Sequence, residues 1–525
     1  MSTHYDIIII GTGAGGGTLA HRLAPSGKRI LILERGDFLP REKANWDARE
    51  VYQNERYHTH EQWYDGDGTP FRAQMSYWVG GNTKVYGAAL LRLRERDFEA
   101  VEHKDGISPA WPLKYADFEP YYTEAEQLYD VHGLAGEDPT EPSRSRGFPY
   151  PAVSHEPRMQ AIAERLTQQG LHPFHLPLGL KLNEVDQTLG NCIRCNSCDG
   201  FPCLVRGKAD AEVNTIQPIR QQSNITLLTR AQALRLLTNA SGREVTAVEA
   251  NVQGQPTTFR ADIVVVACGA INSAALLLKS TSDEHPKGLA NRSDQVGRNL
   301  MKHLTTAMVV LTTAPNPDSY QKTIAVSDFY WGEAEFPYPM GLVQNTGNVL
   351  RDMIPAEAPK LLAPFVKFVP GSELQRVAEL ATGWWLQTED LPTPHNRVRI
   401  KQDAIHLDYT PNNTEAADRL LDRWTQILKA VDRAEHVLPF GIYPRNKTPI
   451  QVVGHQCGTC VFGTDPTRSV LDLDCKTHDV ENLYVVDGSF FPSSSGVNPT
   501  LTIIANALRV GDRIMERWGS RGASK

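Results

Sequence analysis

Two short segments near the C-terminus carry residue types suited to acid–base chemistry. His455-Gln456-Cys457-Gly458-Thr459 offers an imidazole, and Ser495-Gly496-Val497-Asn498-Pro499-Thr500 offers a carboxamide. A neutral imidazole can take up a proton near pH 7, and an amide NH₂ can donate a hydrogen bond to an oxygen. At the opposite end, Gly11-Thr12-Gly13-Ala14-Gly15-Gly16 follows the apolar run Tyr5 to Ile10. Gly11, Gly13 and Gly16 have the G-x-G-x-x-G spacing that holds the ADP half of a dinucleotide.

The elements that position these residues are legible in outline. Ile7 to Ile10 reads as a strand buried on both faces, Thr18 to Leu23 as a helix, and Arg29 to Glu34 as the next strand. In this βαβ opening Gly11 permits the tight turn, Gly13 lets backbone approach a pyrophosphate, and Gly16 allows close helix packing. The helix N-terminus presents free N–H groups to phosphate. Glu34, about 20 residues on, stands where an acid accepts from ribose hydroxyls. These features do not separate FAD from NAD.

Asp37 to Tyr77 reads as loops and short pieces, followed by a second glycine turn at Gly80-Gly81-Asn82-Thr83. Phe118 to His132 has helical spacing, and Gly133 to Gly147 reads as a surface loop. From Asn224 the α/β texture returns. Ile225 to Leu228 is a strand, and Val245 to Val252 with Gln255 to Arg260 form a hairpin around Gln253-Gly254. A buried strand over Asp262 to Ala267 leads into a helix from Asn272. Residues 304–450 predict an antiparallel sheet with helices, including an amphipathic one over Ala416 to Val431. The last α/β piece runs from Leu483 to Asp487 and into a helix from Pro499.

At this point the chain resembles the glucose–methanol–choline (GMC) flavin oxidoreductases over most of its length. The matching residues are the opening fingerprint through Glu34-Arg35-Gly36, Gly80-Gly81-Asn82-Thr83 with Gly87, Ala110-Trp111-Pro112 and Tyr121-Tyr122. Gly269-Ala270-Ile271-Asn272-Ser273, Val296-Gly297-Arg298-Asn299-Leu300, His455-x-x-Gly458-Thr459 and Asn482 to Asp487 continue the match. The Asn498-Pro499-Thr500-Leu501-Thr502 ending is similar to pyranose oxidases and related sugar or glycoside oxidoreductases.

The resemblance implies an α/β plus α+β fold: a discontinuous Rossmann-like FAD-binding domain (1–100, 204–303 and 451–525) and a substrate domain (101–203 and 304–450). It implies FAD rather than NAD. Thr83-Lys84-Val85-Tyr86 lacks the histidine that tethers FAD in some members, so the flavin is expected to be non-covalent. The cofactor-binding set it implies is Gly11, Gly13, Ala14, Gly16, Glu34, Arg35, Gly80, Gly81, Asn82, Thr83, Gly87, Ala88, Gly269, Asp487, Gly488, Asn498, Pro499 and Thr500. His455 is then the base and Asn498 the oxygen-binding partner in oxidation of a CH–OH group, of a sugar or glycoside, with hydride passing to flavin N5. Asn498 before Pro499 also reads as a helix start, with Asn as N-cap and Pro at N1. A non-oxidative flavoprotein, such as a lyase, is the alternative on the same fold.

Eight cysteines include a local run, Cys192-x-x-Cys195-x-x-Cys198-x-x-x-x-Cys203. Its ligand types suit an iron–sulfur cluster or zinc; free thiols and local disulfides are the alternatives. A cluster here would make the enzyme a dehydrogenase relaying electrons to an acceptor other than oxygen. Cys457-x-x-Cys460 reads as packing. Tyr330, Trp331, Trp384 and Trp385 are candidates for stacking on a sugar ring.

A net charge of −7 argues against broad nucleic-acid binding. No apolar run reaches the ~18 residues of a membrane span, and no secretory signal is visible, so the expected location is the cytoplasm. The expected partners are a small-molecule alcohol or sugar and oxygen or another electron acceptor.

Overall fold

The computed structural model describes residues 4–358, 363–366, 368–435, 445–447 and 449–523. Its centre is a seven-stranded sheet. The strand His4–Ile10 lies between Ile30–Leu33 and Gln255–Val266, parallel to both, with Ile7 opposite Ile30 and Ile263. Ile225–Leu228 extends one edge in parallel, and Leu483–Val485 pairs in parallel with the far end of Gln255–Val266. Ile7 to Ile9, Ile30 to Leu33 and Val264 to Val266 are almost wholly buried. Continuous β-rich apolar runs are what a sheet covered on both faces requires.

The strand Gln255–Val266 is longer than the sequence indicates. It joins the hairpin arm and the buried strand, read as separate elements, into one twelve-residue strand. Its first half pairs antiparallel with Val245–Val252, which in turn pairs with Ala231–Thr238. The hairpin turns at Gln253 and Gly254, both at positive φ (52° and 87°). The helices Ala14–Leu23, Ala270–Lys279 and Thr500–Ala523 follow strand ends of this sheet or pack beside it.

A second sheet of six strands is antiparallel throughout, in the order Arg445–Lys447, Leu304–Leu311, Ala381–Thr388, Leu342–Asn345, Ile324–Val326 and Phe174–His175. Its two faces do different work. Met308, Val310, Val343, Trp384 and Leu386 point to one side and pack with Leu420, Leu421 and Trp424 of the helix Thr414–Glu435. The Trp384 and Trp424 rings lie 5.0 Å apart at 67°. Thr305, Ala307, Gln344, Trp385 and Gln387 alternate with them and face the other way. Part of the region read as loops, Asp37 to Tyr77, forms the short strands Gln62–Asp65 and Pro70–Arg72 of a four-stranded sheet with Arg397–Lys401 and Ala404–Asp408.

Candidate functional site

A single cavity of about 1030 Å³ runs from the glycine turn at Gly11 to the free face of the six-stranded sheet. That volume is at the upper end of small-molecule sites, enough for a dinucleotide with a substrate beside it.

At the dinucleotide end, Gly11 has φ +104°, and a Cβ there would sit 2.3 Å from the Ala267 carbonyl oxygen. Position 13 is different. A Cβ on Gly13 meets nothing within 4 Å, because the residue borders the cavity. This open place at the head of the helix Ala14–Leu23 fits a pyrophosphate on backbone N–H groups. A Cβ on Gly16 would lie 2.2 Å from the Gly11 carbonyl oxygen, so Gly16 serves packing and does not reach the cavity.

The second glycine turn closes over the first. Gly80 N–H donates to Thr12 Oγ1 at 3.0 Å, and a Cβ on Gly81 would come within 3.2 Å of Gly13 Cα. Thr83 Oγ1 donates to the Gly80 carbonyl and accepts from Ala211 N–H. Lys84 is buried against Asp210 and Glu212 (2.9 and 2.5 Å).

Glu34 ends its strand with the carboxylate inside. Its Oε2 accepts from Thr12 Oγ1 (2.5 Å) and Thr12 N–H (3.1 Å), and Oε1 accepts from Gly36 N–H. Burial raises its pKa against these bonds. A carboxylate has about four acceptor sites, so capacity for a ribose hydroxyl remains. Arg35 stacks on Tyr77, 4.0 Å from the ring centre, and pairs with Glu61. Asp487 braces the turn after Gln255–Val266 by accepting from Gly269 N–H (3.0 Å) and Ser273 Oγ (2.5 Å).

Of the cofactor-binding set, Gly11, Gly13, Ala14, Glu34, Arg35, Gly81, Asn82, Thr83, Gly87, Gly269, Asp487, Gly488, Asn498, Pro499 and Thr500 line the cavity. Gly16, Gly80 and Ala88 stand behind it.

At the chemical end, His455 and Asn498 line the same cavity. His455 Nδ1 is 3.1 Å from Nδ1 of His303, whose Nε2 lies 3.1 and 3.0 Å from the carbonyl oxygens of Ser494 and Ser495. His303 thus ties the segment before Asn498 to His455. Desolvation, then nearby His303, Lys322 and Lys302, depress the His455 pKa to about 3. The imidazole is therefore neutral at physiological pH, with a lone pair on one ring nitrogen.

Asn498 Oδ1 accepts from Gln344 Nε2 at 3.1 Å. That leaves its NH₂ as the group to offer an incoming oxygen. The last helix begins at Thr500, so Pro499, not Asn498, stands at the position before it. The carboxamide oxygen that the sequence reading assigned to capping is taken by Gln344 instead.

The structure adds residues that sequence spacing did not single out. Asp199, between Cys198 and Cys203 of the cysteine-rich loop, accepts from Lys322 Nζ at 2.6 Å, and both line the cavity with Gln344, Gln387 and Lys302. Burial lowers the Lys302 pKa to about 8. Their partners lie more than a hundred residues away in sequence, so no local signal marks them. Trp385 faces the cavity, while Trp384 faces the helix. Tyr330 is a structural residue: its hydroxyl donates to Asp97 and accepts from Gly496 N–H.

Cys192, Cys195, Cys198 and Cys203 are free thiols and do not line the cavity. Burial raises the pKa of Cys192 to about 12 and of Cys198 to about 11. Among the described residues no three His, Cys, Asp or Glu side chains are arranged to hold a metal ion. Cys457 and Cys460 are free and wholly buried. No helix among the described residues is long and apolar enough to cross a membrane.

Comparison with known proteins agrees with this geometry. Residues 5–305 and 392–507 match the two family models described as GMC oxidoreductase. The chain is 32% identical to 6'''-hydroxyparomomycin C oxidase of Streptomyces lividus, over 97% of this chain and 91% of that one. It is 30% identical to paromamine 6'-oxidase of Streptomyces fradiae, over 96% and 90%. The fold is that of pyridoxine 4-oxidase from "Mesorbium loti", with TM-score 0.70 at 19% identity, covering 98% of this chain and 99% of that one. With a dinucleotide cradle at one end of the cavity and an imidazole–carboxamide pair at the other, the chain belongs to the GMC oxidoreductase family and is an FAD-dependent oxidoreductase acting on the CH–OH group of its donor.

Proposed function

We propose that this chain oxidises a hydroxyl group of a sugar or aminoglycoside, with His455 as the base and Asn498 as the ligand of the reacting oxygen. The observation that carries the reading is that neutral His455 and Asn498, its oxygen held by Gln344, both line the cavity that begins at the dinucleotide turn. The aminoglycoside oxidases at 32% and 30% identity support the substrate class. So do Trp385 and the polar Gln344, Gln387, Asp199 and Lys322 around the cavity, a mixture suited to a ring with many hydroxyls.

In this mechanism Gly13 and the N–H groups behind it would hold the pyrophosphate of FAD, and Glu34 the ribose. Asn498 donates to the substrate oxygen and steadies the alkoxide. His455 takes the hydroxyl proton, a contribution of about 10²–10⁴-fold for a positioned base. FAD supplies the hydride acceptor, N5. Thr83 to Tyr86 holds no histidine, and Lys84 is engaged by two carboxylates, which supports a non-covalent flavin.

The same proposal divides the chain into cofactor segments 1–100, 204–303 and 451–525 and substrate segments 101–203 and 304–450. The seven-stranded and six-stranded sheets draw on the respective segments. Eight free thiols support a reducing compartment such as the cytoplasm.

The test is anaerobic flavin bleaching with paromamine, a methyl glucoside and short aliphatic alcohols. Bleaching by the sugars is expected, and its loss in His455→Ala at unchanged FAD content. A lyase would leave the flavin yellow. Faster bleaching by simple alcohols than by any sugar would refute the substrate class.

A further inference from the structure

His303 and His455 meet edge to face, with ring centres 5.1 Å apart and planes at 87°. The 3.1 Å bond between their Nδ1 atoms needs one N–H and one lone pair. The far side of His303 decides which ring supplies which. Its Nε2 touches two backbone carbonyl oxygens. Carbonyls only accept, so Nε2 carries the hydrogen. Burial lowers the His303 pKa to about 4, so this ring is neutral and its Nδ1 is bare. His455 must then donate from Nδ1, which leaves Nε2 of His455 with the free lone pair.

We propose that His303 is a positioning residue that fixes His455 as its Nδ1–H tautomer, so that the Nε2 lone pair is the one offered to the substrate hydroxyl. The inference rests on the reading of His455 as base. The proton then leaves the carbinol oxygen for Nε2, and the resulting imidazolium keeps its Nδ1–H bond to neutral His303.

The surroundings give His303 this task. Lys302 precedes it, with Nζ on the Pro449 carbonyl, and Lys322 is paired with Asp199. Both cations oppose a charged His455. Glu389 accepts from Ser495 N–H and pairs with His103, and Asp390 accepts from Lys302 N–H and Tyr409. These carboxylates are engaged elsewhere, while His303 reaches the imidazole directly. His303 also holds φ +62°, an uncommon conformation for a residue other than glycine, and its two carbonyl bonds anchor the ring there. Strain of this kind persists where the surroundings over-determine it.

Two substitutions separate tautomer control from support of the chain. His303→Asn places Oδ1 where the imidazole has Nδ1, keeps an acceptor for His455, and tolerates positive φ. His303→Gln places its NH₂ where the imidazole has Nε2, keeps a donor for the two carbonyls, and removes the acceptor. The readout is anaerobic flavin reduction in the holoprotein by paromamine, or by whichever alcohol bleaches the wild type, at equal FAD occupancy. The glutamine variant should lose on the order of 10²-fold or more in limiting rate, since a wrongly held tautomer disables a base. Its substrate Kd should change less than twofold. The asparagine variant should stay within tenfold of wild type.

A second readout needs no turnover. In wild-type holoprotein labelled with ¹⁵N-histidine, the His455 signals, assigned against His455→Asn, should show a protonated Nδ1 and a bare Nε2. A glutamine variant at wild-type rate, an asparagine variant as impaired as glutamine, or a bare Nδ1 on His455 overturns the proposal. Failure of every alcohol to bleach the wild type would instead count against the base reading, with the tautomer still settled by the nitrogen spectrum.

Discussion

A methyl group at position 13 enters the cavity and touches no protein atom within 4 Å. Gly13 also sits at φ −67° and ψ −166°, a conformation alanine adopts freely. Gly13→Ala should therefore leave the apoprotein close to wild type in stability. Reduced freedom of the unfolded chain contributes about 0.4–1 kcal/mol in its favour, offset by the weaker cap that alanine makes.

The cofactor is affected differently. The methyl occupies the side from which the pyrophosphate approaches backbone N–H groups. Loss of one hydrogen bond to a charged oxygen costs about 1.5–3 kcal/mol, which raises the FAD Kd by roughly 10- to 150-fold. The assay is a fluorescence titration of deflavinated protein with FAD, beside thermal melting of the same apoprotein. A Kd within threefold of wild type, or a fall in apoprotein Tm without a change in Kd, would refute the placement of the pyrophosphate at Gly13.

Three further outcomes follow from the packing. Trp384→Ala removes a ring packed edge to face against Trp424 and should cost about 3–5 kcal/mol in urea unfolding, whereas Trp385→Ala should retain stability and raise KM for a sugar. His303 is neutral and buried in the fold, with its pKa lowered from 6.5 to about 4; protonation favours the unfolded chain, so its contribution is complete above pH 6.5 and is lost progressively as pH falls towards about 4, and His303→Gln should flatten that part of the Tm–pH curve. Denatured, unreduced protein should react with eight equivalents of a thiol reagent, since all eight cysteines are free; a titre of six or fewer would reveal a disulfide.

Local signals carried the cofactor half of the site. Ile7 to Ile10, the glycine turn and Glu34 lie within 28 residues, so composition and spacing alone display their arrangement. The Gln253-Gly254 turn and the helices after Gly13 and Gly269 were legible for the same reason. The proposed catalytic pair, His455 and Asn498, was marked by family motifs. Their supporting residues were not, because His303, Gln344 and Lys322 act across 150 residues or more, or through a partner in a distant loop. The fate of the Asn498 oxygen turned on Gln344, and no rule of helix capping anticipates such a competitor. Trp384 and Trp385 are adjacent and alike in composition, but pleating packs the Trp384 ring against Trp424 of the helix and turns Trp385 to the opposite face of the sheet. The strand Ala231–Thr238 went unread since its apolar positions do not alternate cleanly, and two register irregularities interrupt its ladder.

The twelve-residue strand Gln255–Val266 has a consequence for biosynthesis. Its neighbours His4–Ile10 and Val245–Val252 have already been translated when it emerges, but Leu483–Val485 has not. A nascent chain halted before His455 would own both glycine turns and lack the imidazole and the carboxamide. The ribosome thus releases both glycine turns first and the reactive groups last, and the final segment closes the cavity as well, since it brings Asp487, Gly488, Pro499 and Thr500 to the wall.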